Sequence, residues 1–427
     1  MDAAAQRLRA QCALAVVGVD AGKFHHALVV RGRDSRDSKP LIFPTTRAGF
    51  EQALAYIRAG SADADPGSVL VGIEFAGSYG ATFAFFLDTH GYPVVSVLGN
   101  ATKAWAKAVH GTPLKTDAKD AITIVDLVSH GRFAGYPFLK PVYAELRVLT
   151  AGIRRVVRLR GGAVNTLRSV LQSVWPEYET HFTSFTQTVT PLRLLAKYPG
   201  PVAFQAAPRR TVLAALKSFS RGYFGTDQYD ILRASAEQTV AIPGTETILQ
   251  TQVTQLIHLI AVYDEQIEVL EAAMATAMQN LPEAQALLTI PRVSVRSVGL
   301  FLGAIGDPRA YEAPEQVLRL AGLNLMTKES GIQRGTHRIS KRGRSEVRQQ
   351  VYLLALGMVQ KDMVYHAAYQ AMIARNGGRK KKALVAISRR VLALMFSIAR
   401  DRRPFDATRV SVSAPYRRAE GEASPSA

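Results

Sequence analysis

At 427 residues and 46.4 kDa the chain is long enough for two or three domains, each with its own core, and is not a small stapled module. Hydrophobic residues make up 48% and charged residues 20%, the balance of an ordinary globular protein, but a net charge of +19 and a pI near 10.1 call for a polyanionic partner. The lone cysteine, Cys12, excludes an internal disulfide and a cysteine-rich zinc site, and its place at the head of a strand suits a small core residue. No apolar run of about 20 residues and no signal-peptide pattern occurs, so the expected location is the cytoplasm, with no membrane partner.

In chain order, the apolar run from Ala13 to Val19 ends at Asp20 and is followed by Gly22, Lys23 and a second run, Ala27–Val30. These read as two buried strands joined by a turn. Leu41–Phe43 supplies a third strand, Arg47–Arg58 a helix, and Val69–Ile73 a fourth strand that ends on Glu74. A helix near Ala81–Thr89 and a fifth strand, Val94–Leu98, come next. The helix that follows carries Asp117 and Asp120, with Thr116 as its cap and Ile122, Val125 and Val128 as its buried side. Three strands in a meander, then alternating helices and strands, is the order of a ribonuclease H-like α/β domain.

The acids fall at element ends. Asp20 ends the first strand and Glu74 the fourth, and in a mixed sheet the C-terminal ends of neighbouring strands are the usual place for a site. Asp117 and Asp120, three apart, project from one helix face. Taken singly, each has a plainer explanation: a strand-end turn residue, a solvated loop acid, and acids that suit the dipole of a first helical turn. Taken together, four oxygen ligands with no histidine or cysteine suit Mg²⁺, with Mn²⁺ possible, rather than zinc. Lys23 and Lys115 flank the acids as phosphate contacts or as ordinary surface lysines.

From Tyr143 to Trp175 the pattern becomes a long amphipathic helix with arginines, among them Arg147, Arg154, Arg155, Arg158, Arg160 and Arg168, on its other side. These either grip a nucleic-acid backbone or form a solvated face. After a smaller helical region to about Arg233, Ile248–Met278 places Leu249, Val253, Leu256, Ile260, Tyr263, Ile267, Leu270 and Met274 at coiled-coil seam spacing. The two long helices are expected to form an antiparallel pair or an intersubunit zipper, with a helix buried in one subunit as the alternative. The expected divisions are therefore residues 1–140, an arm with an insert over 141–285, and a mainly α C-terminal domain over 286–405.

The C-terminal domain opens with a segment from Leu287 to Asp307 that resembles a helix-hairpin-helix, a module whose backbone amides meet phosphate. Ala321-Gly-Leu323, a polar loop holding Ser330-Gly331, and the basic segment Arg338-Ile-Ser-Lys-Arg-Gly-Arg344 follow, then helices from Glu346 to Lys361 and from the Gly377–Lys382 segment to about Arg400. About 18 Lys and Arg against about 4 acids lie between Lys328 and Arg403, a nucleic-acid surface in which Arg338, Lys341, Arg344 and Arg348 are candidate contacts. The Ser/Ala/Glu/Pro-rich tail over 406–427 is expected to be disordered.

From about Val16 to Asp406 the chain resembles the transposases of the IS-one-ten insertion-sequence family, the bridge recombinases. The resemblance rests on Gly18-Val-Asp20-x-x-Lys23, Ile73-Glu74-x-x-Gly77-x-Tyr79, Lys115-Thr-Asp117-x-x-Asp120-Ala, Ala321-Gly-Leu323, Ser330-Gly331 and Ile339-Ser-Lys-x-Gly343-x-x-x-x-Arg348. It implies a ribonuclease H-like domain in which Asp20, Glu74, Asp117 and Asp120 hold Mg²⁺, and a C-terminal domain whose Ser330 is the nucleophile. It further implies a tetramer in which the acids of one subunit meet the serine of another, donor and target DNA as substrates, and a structured noncoding guide RNA that pairs with both; the protein would then join the nucleoid while active. Two departures from the family pattern stand out: Ile290-Pro-Arg-Val-Ser294 where the family has a glycine-containing Ile-Pro-Gly-Ile-Gly, and no proline after Gly322-Leu323.

A serine hydroxyl needs activation, and a scissile phosphate needs positive charge against its developing negative charge; a metal held by acids offers both. Attack by Ser330 would leave a phosphoserine link that conserves bond energy for rejoining. Without the resemblance, Ser330 is a turn serine before glycine. The rival readings are a Holliday-junction-resolvase-like nuclease in which the same acids activate water, and a non-enzymatic nucleic-acid-binding scaffold whose acids are structural.

Overall fold

The structure is a computed structural model that describes residues 3–75, 79–110, 116–135, 140–185, 188–240, 246–330, 333–361 and 363–407. The chain divides into two compact units, residues 1–138 and 139–427. The expectations for Gly77, Lys115, Gly331 and the tail beyond residue 407 lie outside the described residues.

In the first unit, α1 (Ala3–Cys12) precedes the meander β1 (Ala15–Ala21), β2 (His25–Arg31) and β3 (Leu41–Pro44). Then come α2 (Arg47–Gly60), β4 (Val69–Glu74), α3 (Ala81–Thr89), β5 (Val94–Val97), α4 (Gly99–His110), α5 (Asp117–Ser129) and the short β6 (Ala134–Gly135). The sheet order is β3-β2-β1-β4-β5-β6. β1 runs antiparallel to β2 and parallel to β4, which runs parallel to β5. Such a mixed sheet, with its antiparallel meander at one side, is consistent with a ribonuclease H-like domain.

The strands are apolar on both faces because helices cover both. Val17, Val19 and Ile73 pack with Phe50 and Ile57 of α2 and Phe83 and Leu87 of α3. On the opposite face Val16, Val29, Leu70 and Val95 pack with Ile124, Val125 and Val128 of α5. Side chains alternate along a strand, so Gly18 and Asp20 share the α5 face with Val16, and Gly72 and Glu74 share it with Leu70.

Two expectations for this unit are corrected. Cys12 is exposed, because it ends α1 and does not head β1; among the described side chains of that helix the buried one is Ala10. α4 was absent from the predicted elements: its apolar residues are mostly alanine, and among its described side chains only Thr102 is buried.

The second unit is almost wholly helical: α6 (Pro141–Val174), α7 (Val189–Lys197), α8 (Pro201–Ala206), α9 (Arg209–Phe219), α10 (Thr226–Gln238), α11 (Glu246–Met278), α12 (Pro282–Leu288), α13 (Val295–Ile305) and α14 (Pro314–Leu320). The hairpin β7 (Leu325–Ser330) and β8 (Gln333–Ile339) follows, then α15 (Ser345–Lys361), α16 (Met363–Arg375) and α17 (Lys380–Asp401). α11 runs antiparallel along α6: Gly152 lies against Leu270, Arg160 bonds Asp264 at 2.5 Å, and Gly200 meets both Val174 and Gln250. Every seventh residue of the expected seam, Val253, Ile260, Ile267 and Met274, is buried within this chain.

Both long helices serve two cores. One end of the pair, with Leu167, Leu171, Val253 and Ile260, packs with α7 to α10 around Trp175, Tyr178 and Phe204. The other end, with Leu146, Ile153, Met274 and Met278, shares a core with α12 to α17. Of the arginines on α6, Arg147 donates to the carbonyl of Gly303, Arg160 pairs with Asp264 and Arg168 with Glu179, whereas Arg154, Arg155 and Arg158 are exposed. No helix among the described residues is long and apolar enough to cross a membrane.

Candidate active site

The parallel pairing of β1 with β4 puts Asp20 opposite Glu74, the last pair of a register that runs from Ala15 and Val69. Both are half-buried and end their strands on the face that α5 covers. α5 can lie directly on the sheet because Gly18 and Gly72 are themselves register partners. A Cβ at Gly18 would stand 2.3 Å from the Ala121 carbonyl oxygen, and one at Gly72 would stand 2.3 Å from Val128 Cγ2. Two residues further along each strand come the acids, and one turn back along α5 from Ala121 come Asp117 and Asp120. The two absent side chains let α5, whose first turn carries Asp117 and Asp120, lie on the sheet face where Asp20 and Glu74 end their strands.

Thr116 caps α5 as the sequence suggests, its side chain accepting the Lys119 amide at 3.3 Å. Asp117 is exposed and Asp120 half-buried. The Glu74 carboxylate rests on the first turn of α4, where Thr102 Oγ1 donates to Oε2 at 2.6 Å and Oε1 lies against Gly99. No three His, Cys, Asp or Glu side chains among the described residues stand close enough to hold a metal ion as placed. The strand pairing sets Asp20 beside Glu74 on the sheet face that α5 covers, and the Glu74 carboxylate is held by Thr102. Their donor set, oxygen throughout, fits a hard divalent cation.

In the second unit, Ser330 was expected in a loop but ends strand β7, opposite Gln333 of β8 and next to a bulge at Lys328. Thr327 and Lys328 find cross-strand partners in His337 and Thr336, and that pairing gives the polar segment its strand form. The Ser330 side chain is outside the described side chains. At the base of the hairpin the Ala321-Gly-Leu323 and Ile339–Arg348 motifs form one unit. Lys341 donates its amide to the Gly322 carbonyl, Arg344 its amide to that of Leu320, and Arg348 Nη1 bonds the Ala321 carbonyl at 2.8 Å. Gly343, at φ 144°, has no room for a side chain, since a Cβ would meet Leu320 O at 2.3 Å.

A family model for DEDD transposases of the IS110 group, described as Transposase, matches residues 17–176, and a second, described as Transposase IS116/IS110/IS902 family, matches residues 284–370. The chain belongs to the IS110 family of transposases. It is a DNA transposase or recombinase.

This transposase is 26% identical over 392 residues to the uncharacterized 43.6 kDa protein of insertion element IS110 from Streptomyces coelicolor, covering 90% of the chain and 94% of that protein. It is equally identical over the same length to the uncharacterized 42 kDa protein of IS900 from Mycobacterium paratuberculosis, covering 95% of it. The pilin gene-inverting protein of Moraxella bovis is 29% identical over 126 residues, 29% of this chain and 38% of that protein. The first match spans Asp20, Glu74, Asp117 and Asp120, and the second spans Ser330.

Among the proposed nucleic-acid contacts of the transposase, Lys23, Arg338 and Lys341 are exposed and Arg344 is half-buried. Arg348 is half-buried and tied to the Ala321 carbonyl, so part of its guanidinium holds the fold of the motif. Lys23 Nζ lies 4.8 Å from the centroid of the Phe24 ring, itself exposed, in the turn just past Asp20. Sequence reasoning missed Gly99 and Thr102. Their only signal was a glycine just past a strand with a threonine three residues on, and nothing local ties that pattern to Glu74.

Proposed function

We propose that this transposase cuts and rejoins DNA through Ser330, assisted by a divalent cation, Mg²⁺ or Mn²⁺, at Asp20, Glu74, Asp117 and Asp120. The observation that carries the acid half is the in-register pair Asp20 and Glu74, on the sheet face that α5 covers. When bound, the cation would supply positive charge against the charge that develops on a scissile phosphate. The four carboxylates are its proposed ligands, and Lys23, exposed in the adjoining turn, is a proposed contact to a neighbouring phosphate.

The Ser330 half rests on the family motif and on the two-stranded hairpin that carries it. In the proposed step a bond forms between Ser330 Oγ and phosphorus as the bond from phosphorus to the leaving sugar oxygen breaks. The serine proton is given up to water, and the leaving oxygen takes one. Attack by the hydroxyl of a new strand reverses these changes, so strands exchange without an external energy source. The kinship to pilin gene-inverting proteins supports rejoining, since their name describes a rearrangement of DNA.

Guidance by a noncoding RNA is part of the proposal. The exposed arginines of α6 and the C-terminal excess of basic residues support a second polyanion beside DNA. A tetramer with acids and serine from different subunits is likewise proposed.

The test is a denaturing-gel assay for a covalent protein–DNA adduct, with Mg²⁺, element DNA and the flanking RNA. An adduct formed by the wild type but not by Ser330→Ala or Asp120→Ala is the expected result. Cleavage that survives Ser330→Ala without any adduct, yet fails in Asp120→Ala, would mean that water is the nucleophile.

A further inference from the structure

The first turn of α4 belongs to no motif that identified the family, yet it meets one of the proposed ligands at both oxygens. Thr102 is buried, at 5% exposure, and its Oγ1 lies 2.6 Å from Glu74 Oε2 and 3.0 Å from the Gly99 carbonyl oxygen. A hydroxyl has one proton for these two acceptors, and an ionised carboxylate takes it in preference to a neutral carbonyl. The other oxygen, Oε1, occupies the space that a Cβ on Gly99 would fill, 2.5 Å away.

We infer that Thr102 and Gly99 position the Glu74 carboxylate as a metal ligand, Thr102 by its hydrogen bond and Gly99 by the space it leaves. The inference rests on the acid-site reading above. An ionised carboxylate has about four lone-pair directions, of which Thr102 uses one, so most of the coordinating capacity of Glu74 stays available while its torsions are restrained. Thr102 touches neither DNA nor metal in this scheme and acts only through Glu74. Partners of this outer kind fix the orientation of a ligand and cost about 10- to 100-fold in metal affinity when removed.

Gly99 offers a clean probe. The nearest atoms to an added Cβ, at 2.5 and 3.4 Å, both belong to the end of the Glu74 side chain, so Gly99→Ala moves the carboxylate and leaves the backbone in place. Thr102→Val keeps the side-chain shape and removes the donor, and Thr102→Ser restores it.

The experiment is a Mn²⁺ titration of the full-length protein without nucleic acid, followed by the electron paramagnetic resonance signal of free Mn²⁺. Thr102→Val and Gly99→Ala are expected to raise the Mn²⁺ dissociation constant about tenfold, with Thr102→Ser close to wild type and Glu74→Gln weaker than any of them. If Glu74→Gln weakens binding while Thr102→Val and Gly99→Ala leave it unchanged, the positioning role is wrong and the acid site stands. If Glu74→Gln binds Mn²⁺ as tightly as wild type, the acid-site reading fails and this inference with it.

Discussion

Asp20 and Glu74 are direct neighbours across two parallel strands, 54 residues apart in sequence yet at the strand spacing of about 4.8 Å. Two carboxylates so placed repel when both are ionised, and a cation between them removes that repulsion. A cation bound there would therefore be linked to folding. With Mg²⁺ or Mn²⁺ at about a hundred times its dissociation constant, the first unit should gain about 2.7 kcal/mol. Calorimetry with the metal and then with chelator should show that gain in wild type and lose most of it in Asp20→Asn. Equal metal stabilisation in both proteins would remove Asp20 from the ligand set.

The contact of α5 with the sheet makes two glycine substitutions differ in kind. At Gly72 an added methyl meets the Val128 side chain, so Gly72→Ala should cost about 1–3 kcal/mol and be largely repaired by Val128→Ala. At Gly18 the obstacle is the Ala121 carbonyl, which no side-chain change removes. Chemical denaturation of both single mutants and of each paired with Val128→Ala checks this. Equal rescue of the two would mean that α5 shifts freely over the sheet.

Arg292, which follows Pro291, occupies a left-handed backbone conformation, φ 70°, of the kind that glycine adopts without strain. A side chain there costs about 1–2 kcal/mol relative to a permissive residue, offset in part by the chain entropy that glycine loses on folding. Arg292→Gly should raise the stability of the second unit by about 0.5–1 kcal/mol in urea denaturation. A loss would show that the arginine side chain contributes more than its backbone strain removes.

His26 is buried among the rings of Phe43, Phe50 and Phe83, and neither ring nitrogen has a hydrogen-bond partner among the described residues. Burial lowers its pKa from the usual 6.5, with the His25 backbone opposing the shift only in part. The unfolded chain therefore binds this proton more readily than the folded one. The contribution is complete above about pH 6.5 and falls away as pH drops from there through the lowered folded value. His26→Phe should flatten that part of the stability curve between about pH 5 and 7. An unchanged slope would assign it to other groups.

Subunit mixing tests the composite site. Inactive Asp120→Ala and inactive Ser330→Ala proteins, combined, should recover part of the strand-exchange activity if acids and serine meet across subunits. No recovery in mixed oligomers of verified composition would confine each site to one chain.

The N-terminal domain was legible because its signals are local. Each strand from Ala15 to Val97 is a short apolar run bounded by turn residues, and Asp20 and Glu74 mark where those runs stop. Thr116 announced α5 because a cap, an acidic first turn and an apolar face all lie within a dozen residues. α4 gave no such notice. Its apolar side is built mostly of alanine, which marks a helix only weakly, and its contact with Glu74 comes from a distant strand.

Ser330 was expected in a loop for a related reason. A polar strand has no hydrophobic alternation, and only its pairing with Gln333 and the residues beyond makes it one. Arg348 shows a further limit: its bond to the Ala321 carbonyl, 27 residues back, depends on a chain reversal that no local pattern encodes.

By itself, then, the sequence determined the strands and long helices, the four acids at element ends, the basic surplus and the family to which they point. These follow from side-chain type and spacing along one segment. The tertiary structure alone decided that Asp20 and Glu74 share a register, that Gly18 and Gly72 admit α5 to the same face, and that Gly99 and Thr102 hold a carboxylate from another strand. Each of these is a contact between segments distant in the chain, whose closeness is set by how the layers pack.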